Sequence, residues 1–193
     1  MKKSFYYIGG ALLLLLIIHQ RKNIKKGVMG LNTKGTVKKP TDADIKTALL
    51  RIKENFGEKI AKDVEKVYRL ETGHFKSTQF LNTYSAGMLK FGSIMPYGWR
   101  MLAPFWAANP DLAPDGVYNI YVKENPVKNV ISSTPKQGYK LFSYLAFPDV
   151  YAGMAALAAY IRHFGNVARW NSTNPVQQQK YLAHLKSINN KFV

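Results

Sequence analysis

The sequence predicts a mainly helical α+β domain with a small β-hairpin or three-stranded sheet. Apolar residues recur at helical spacing in two segments before residue 72 and in two more after residue 148. Between these pairs lie three apolar stretches, 117–122, 127–131 and 139–147, which turn-forming residues separate. The 193 residues are enough for one ordinary domain and an appendage. We therefore expect one sheet inserted between two pairs of helices.

The appendage is an apolar run at residues 5–18, flanked by lysines and arginines. Its 14 residues are short for a membrane span, but no small-residue cleavage site follows them. We expect residues 1–22 to form an uncleaved N-terminal membrane-anchor helix, with a cleaved signal peptide as the alternative. Residues 23–40 read as a basic flexible linker, and the folded domain is expected at 41–193.

The charge is strongly and unevenly positive. The net charge is +17, and residues 1–40 contain nine lysines or arginines and no acid. Residues 72–193 contain twelve basic and four acidic side chains. Such a surface favours polyanions, namely nucleic acid, anionic lipid or the acidic bacterial cell wall. Basic residues on both sides of the apolar run give no clear orientation, and the positive-inside rule alone would keep residues 23–193 in the cytoplasm.

Most cofactor and metal chemistries lack their sequence signatures here. There is no cysteine, which excludes disulfides and thiolate metal sites. The four histidines have no metal-ligand spacing, and no phosphate-binding glycine loop or nucleophile elbow is present. We expect neither a metal nor a cofactor.

Helix boundaries are marked by ordinary capping residues. Residues 41–44 have capping-box form, and Gly57 and Gly165 are expected to end helices. Pro148-Asp149 is expected to open a helix with the proline in its first turn, and Asn174-Pro175 to open the last one. Residues 77–114 are rich in glycine, proline and aromatics, which predicts an irregular region serving as a satellite core or a saccharide platform.

Glu71 is the residue that most needs an explanation. It continues the apolar stripe of a helix formed by Ile60, Val64, Val67 and Tyr68. A carboxyl group on a buried stripe costs free energy unless it is paired, protonated or functional. Partial burial raises the pKa of such a group, which suits proton donation in glycoside cleavage. The alternative is an ordinary glutamate at a helix end that pairs with Arg69 or Lys76.

The segment ETGHFKS at residues 71–77, followed by GMLK at 87–90, resembles the bacterial and phage glucosaminidase family of cell-wall hydrolases. Residues 141–144 and 181–186 are similar to its aromatic strand and last helix, so the resemblance covers about residues 45–190. It implies a lysozyme-like fold with Glu71 as the general acid. Where the family has paired asparagines, this chain has Asn-Thr-Tyr-Ser at 82–85. GMLK is also similar to the Gly-Leu-Met-Gln of lytic transglycosylases, so the bond cleaved stays open.

The second catalytic group is less clearly marked. Glu124, at the predicted hairpin tip, is the candidate carboxylate, because Asp149 is expected to cap a helix and Asp115 to lie in a turn. Attack by the substrate's own N-acetyl group, or transglycosylation, would need no second carboxylate. By the resemblance Tyr144 lines the site. The expected substrate contacts are Ser77, His74, Tyr84, Lys90 and Trp99.

These observations together predict a membrane-anchored peptidoglycan hydrolase of glucosaminidase or muramidase type, and they leave open whether it is a cellular enzyme or a phage lytic or virion-associated one. Residues 5–18 would sit in the cell or virion membrane, with the catalytic domain on the cell-wall side and no specific nucleic acid partner. One alternative is a lytic transglycosylase that uses the same acid. The other is a non-enzymatic, basic, membrane-associated protein that binds the wall or nucleic acid, which includes a lysozyme-like domain that has lost catalysis.

Overall fold

A computed structural model describes residues 39–86, 90–91, 98–125 and 130–193. Within these ranges the chain forms six α-helices and a four-stranded antiparallel sheet. The helices are α1 Asp42–Phe56, α2 Glu58–Glu71, α3 Thr78–Thr83, α4 Gly98–Ala108, α5 Val150–Phe164 and α6 Pro175–Ser187. The strands are β1 Lys90–Phe91, β2 Gly116–Lys123, β3 Val130–Ser132 and β4 Lys140–Ala146. The predicted α+β class with mainly helical content is confirmed.

The predicted anchor at 5–18 and nearly all of the linker fall outside the described residues. Across the ranges that the structure does describe, no helix combines the length and apolar character needed to cross a bilayer.

The first two helices begin and end as their sequences predict. Thr41 caps α1 in a capping box, in which its hydroxyl accepts from the Asp44 N–H at 3.1 Å and the Asp44 carboxylate accepts from the Thr41 N–H at 2.8 Å. Gly57 separates α1 from α2 with φ of 93°, a conformation that disfavours residues with a Cβ. The two helices then pack against each other.

Helix α5 lies at the centre of the core. Every residue from 150 to 161 is buried, and α1, α2 and α4 all pack against this helix. Asp149 caps it, accepting from the Ala152 N–H at 2.7 Å, and Gly165 ends it in the left-handed conformation. The cap at Asp149 and the stop at Gly165 were predicted. Pro148 precedes the cap, so its predicted place in the first turn is wrong.

Close packing requires a glycine at position 153 of α5. A Cβ there would lie far inside van der Waals distance of the Tyr84 carbonyl oxygen and 2.9 Å from the Tyr84 carbonyl carbon. That carbonyl also accepts a hydrogen bond of 2.9 Å from the buried Tyr68 hydroxyl. Helix α2, through the Tyr68 hydroxyl, and helix α5, through Gly153, therefore both contact the backbone carbonyl of Tyr84, the residue after α3.

The sheet has the strand order β1-β4-β2-β3, and all neighbours are antiparallel. The pairing of β2 with β4 covers seven residue pairs, from Gly116 with Ala146 to Val122 with Lys140. Ile120, Val122 and Tyr144 form a small core on this sheet. The predicted strands at 117–122 and 139–147 are confirmed, and the fourth strand, β1, was not predicted.

The prediction of an irregular region from residue 77 to residue 114 is wrong in part. Helix α3 occupies 78–83, and α4 occupies 98–108 with Pro104 inside it. Leu102 and Trp106 of α4 are buried, and Trp106 packs beside Phe147 at a ring-centroid distance of 6.3 Å. Burial of this apolar face outweighs the cost of an interior proline.

Candidate active site around Glu71

Glu71 is the last residue of α2, as predicted. The turn that follows is held by local hydrogen bonds, because the Thr72 hydroxyl donates to the Tyr68 carbonyl and accepts from the Phe75 N–H at 2.8 Å. The His74 N–H donates to the Arg69 carbonyl at 2.8 Å. The helix end is therefore closed by Thr72 as well as by the predicted stop at Gly73.

The turn after Glu71 has an unusual backbone that packing holds in place. His74 and Phe75 have φ of 58° and 67°, in the left-handed region that non-glycine residues seldom adopt. The Phe75 side chain is buried, and its ring lies 6.0 Å from that of Tyr68 and 5.7 Å from that of Phe80. Its contacts with neighbouring rings offset the local strain. Glu71 is thus followed by a turn whose buried ring, Phe75, belongs to an aromatic cluster with Tyr68 and Phe80.

The Glu71 carboxyl group is half-buried and has no cationic partner among the described residues. Burial raises its pKa above the ordinary value for a glutamate, and the Tyr181 side chain opposes this shift as a hydrogen-bonding group. Among the described residues no lysine, arginine or histidine nitrogen lies within 4.0 Å of it. Arg69 instead lies 3.9 Å from Glu65. The alternative of an Arg69 or Lys76 ion pair at Glu71 is therefore wrong.

Tyr181 is the functional candidate that the sequence did not reveal. It lies on α6, and its side chain is buried. Burial, followed by the adjacent Glu71 charge, raises the pKa of its phenol. The phenol lies close enough to Glu71 to affect the carboxyl pKa, although the two form no hydrogen bond of regular geometry. No local sequence pattern links Tyr181 to Glu71, which lies 110 positions earlier.

A second carboxylate on the same helix is buried more deeply. Glu65 is fully buried, and its oxygens accept from the N–H groups of residues 191–193 and from the Asn190 amide. The shortest of these bonds, from the Lys191 N–H, is 2.6 Å. The ring of Phe192 then packs 6.5 Å from that of Phe75. Hydrogen bonds to Glu65 therefore hold residues 190–193 in place, and Phe192 packs against the turn that follows Glu71.

Three of the predicted substrate-binding residues lie near that turn. His74 is exposed within it, and Ser77 caps α3 by accepting from the Phe80 N–H at 3.2 Å. Tyr84 is buried next to Phe80 and lines a cavity of about 310 Å³ together with Asp44 and Asp149. Ser77 and Tyr84 thus have structural roles in addition to the predicted substrate contacts.

The sheet brings two other predicted residues together. Lys90 of β1 is paired in register with Tyr144 of β4, and Tyr118 of β2 is the next partner of Tyr144. The Tyr144 side chain belongs to the sheet core beside Ile120. Trp99 lies in α4, at a position whose side chain is outside the described set. The role of each in substrate binding stays a prediction.

Glu124, the predicted second carboxylate, is exposed just after β2. One of its oxygens lies 2.6 Å from the Lys140 ammonium group, and both side chains are more than half exposed. Burial raises the pKa of Glu71, the Tyr181 side chain opposes that shift, and no carboxylate among the described residues contributes to it. A paired catalytic role for Glu124 therefore has no electrostatic support at Glu71.

The described residues contain no group of three or more histidine, aspartate or glutamate side chains placed to hold a metal ion. Comparison of the chain with protein-family models, curated proteins and solved structures finds no significant match. The chemistry of the site is therefore inferred from the geometry around Glu71.

Proposed function

We propose that this protein cleaves the glycan strand of peptidoglycan and that Glu71 is the proton donor. The observation that carries the proposal is the state of the Glu71 carboxyl group, which is half-buried, has a raised pKa and lacks a cationic partner. An ion pair would keep this group charged, whereas burial favours the protonated form that a general acid needs. The resemblance of residues 71–77 to the glucosaminidase family supports the same role.

In the proposed reaction, Glu71 gives its proton to the glycosidic oxygen while the bond from the anomeric carbon to that oxygen breaks. The leaving sugar departs as an alcohol, and positive charge develops on the remaining sugar ring. The Glu71 carboxylate formed in this step then takes a proton from the water or sugar hydroxyl group that completes the reaction. Tyr181 supports this exchange because its phenol can hydrogen-bond to the charged carboxylate.

A single acid favours routes in which the substrate supplies the nucleophile. If the N-acetyl oxygen attacks the anomeric carbon, water later opens the cyclic intermediate and a reducing sugar is released. If the C6 hydroxyl attacks, a 1,6-anhydro sugar results, as in a lytic transglycosylase. Glu124 is exposed and lies 2.6 Å from the Lys140 ammonium group, and this ion pair favours these routes over paired action of Glu71 with Glu124.

The test is the substitution Glu71→Gln in the full chain, assayed on purified peptidoglycan. We expect activity to fall by about 10²- to 10⁴-fold, the usual contribution of general acid catalysis, because glutamine has no acidic proton to give. Glu54→Gln on the exposed face of α1 is the matched control and should retain activity. Mass spectrometry of the products separates reducing N-acetylglucosamine, reducing N-acetylmuramic acid and 1,6-anhydro ends.

Activity that survives Glu71→Gln would overturn the proposed acid. A chain with no activity that still binds the wall equally well with either residue would instead support the non-enzymatic alternative. The predicted placement on the cell-wall side of a membrane follows from this proposal and from residues 5–18. Protease protection of residues 41–193 in sealed vesicles would test it.

A further inference from the structure

A groove separate from the Glu71 site runs along α2. It consists of two cavities of about 480 Å³ and about 440 Å³ that share Lys59, Asp63 and Lys66 as lining residues. Asn190 borders the first cavity, and Lys186 of α6 borders the second. Glu71 lines neither of them. We call this feature the lysine groove.

The lysines of the groove follow the helical repeat. Lys59, Lys62 and Lys66 are spaced at i, i+3 and i+7, so they share one face of α2 over roughly 10 Å. Lys186 faces them across the second cavity. Their alignment gives a row of positive charge rather than a single basic point.

Three of these four lysines lack a carboxylate partner. Lys62 lies 2.6 Å from Glu58, but within the described ranges no carboxylate oxygen is within 4.0 Å of Lys59, Lys66 or Lys186. Asp63, between Lys59 and Lys66, is half-buried, and burial raises its pKa against the opposing effect of those two lysines. The groove therefore has an excess of positive charge that an anionic ligand would neutralise.

The lining also indicates which kind of polyanion fits. Single-stranded nucleic acids bind in grooves whose aromatic side chains stack with the bases. No aromatic residue lines either cavity among the described residues, whereas Gln179 offers an amide group, and Asn190, whose NH₂ group donates to Lys62 and Glu65, can accept through its side-chain oxygen. Amides are suited to hydroxyl groups, and lysines to phosphates. A recessed row of lysines also fits an extended chain better than a flat bilayer surface.

We propose that the lysine groove binds a linear polymer of polyol units joined by phosphodiesters. The groove would hold the domain on an anionic polymer of the cell wall while the Glu71 site acts on the glycan. This inference goes beyond the proposed function, because it assigns a second binding site that does not use Glu71.

The experiment measures binding of a synthetic glycerol-phosphate hexamer to the full chain in non-ionic detergent. The variant Lys59→Ala/Lys66→Ala/Lys186→Ala should lose at least tenfold in affinity. Its slope of log affinity against log salt should fall by about two, because three phosphate contacts are removed. The control Lys46→Ala/Lys136→Ala/Lys180→Ala removes three exposed lysines outside the groove and should bind like the unmodified chain.

Equal losses in the two triple variants would overturn the proposal, because net charge alone would then explain binding. Tighter binding of a ten-residue oligothymidine, or binding to phosphatidylglycerol vesicles but not to the hexamer, would overturn it as well. The single variant Lys186→Glu, at an exposed position of α6, should also weaken binding. It replaces the triple variant in the test if the triple variant fails to fold. Glu71→Gln should bind the hexamer normally, so failure of the proposed catalysis and failure of the groove are distinguishable.

Discussion

Helix α2 contains two glutamates, Glu65 and Glu71, that differ in burial and in the number of hydrogen-bond donors around their carboxylates. Glu65 is fully buried and accepts hydrogen bonds from the backbone of residues 191–193, with Arg69 at 3.9 Å. Glu71, less than two turns further along, is half-buried, lies near the phenol of Tyr181 and has no lysine, arginine or histidine nitrogen of the described residues within 4.0 Å. A carboxylate with many donors stabilises the fold, whereas one with few is available for proton transfer. Burial alone therefore does not separate a structural acid from a candidate catalytic one, and the number of donors does.

Replacing Glu65 should have the largest effect on this contrast. Glu65→Gln puts an amide NH₂ group where an oxygen accepts backbone N–H groups, and it leaves Arg69 without its charged partner. We expect the free energy of unfolding to fall by about 3 kcal/mol, within the range found when one member of a buried charged network is removed. Urea unfolding followed by circular dichroism would measure it.

Glu54→Gln, on the exposed face of α1, is the control for that measurement and should change the free energy of unfolding by less than about 0.5 kcal/mol. If Glu65→Gln were equally neutral, residues 190–193 would not be fastened by this carboxylate. The distinction drawn between the two acids of α2 would then fail.

Replacing Glu71 should have a smaller effect on stability, and that effect should depend on pH. Its folded-state pKa is raised above the unfolded value, so the folded state binds more protons between the two pKa values. The stability contributed by this group is present below the unfolded pKa and is lost as the pH rises through the folded pKa. The stability of Glu71→Gln relative to the unmodified chain should therefore be higher at neutral pH than at pH 4.

Thermal unfolding of the two chains across pH 4 to 8 would test this sign. A Glu71→Gln variant that is less stable at pH 7 than at pH 4, relative to the unmodified chain, would mean that the carboxylate is stabilised in the fold, as Glu65 is. The fold would then favour the charged form of Glu71, which argues against a role as proton donor.

The smallest effect is expected at Tyr181. The phenol of Tyr181 opposes the rise in the pKa of Glu71, so Tyr181→Phe should raise that pKa further. Since the acid must be protonated to act, the basic limb of the pH profile of kcat/KM should move to higher pH. Tyr160→Phe removes a different buried hydroxyl, which donates to the Arg169 carbonyl at 3.0 Å, and should leave the limb unmoved. A shift to lower pH at Tyr181→Phe would reverse the assigned role.

Local sequence signals predicted the fold well where one segment contained the whole cause. The capping box at residues 41–44, the stop at Gly165 and the strand that follows Asp115 all depend on neighbours in the chain. Helix α4 was missed because Pro104 lies inside it, and an interior proline normally marks the end of a helix. Its stability comes from burying Leu102 and Trp106 against distant parts of the chain.

The site was predictable only at Glu71. Glu65 shares the buried face of α2 with Ala61, Val64 and Tyr68, so helical phase could have identified it as a second buried acid. The identity of its partners could not be read, because they lie more than 120 positions later. Tyr181 is hidden for the same reason. Contacts between distant segments depend on the tertiary fold, and one sequence has no local signal for them.

The close approach at Gly153 also predicts how this position tolerates sequence variation. The space for a Cβ is already filled by the backbone of Tyr84, and backbone atoms cannot rotate away as a side chain can. In a library with randomised codons along α5, alanine positions such as 155 and 156 should accept some small replacements. Position 153 should return glycine alone among variants that survive selection for a folded protein.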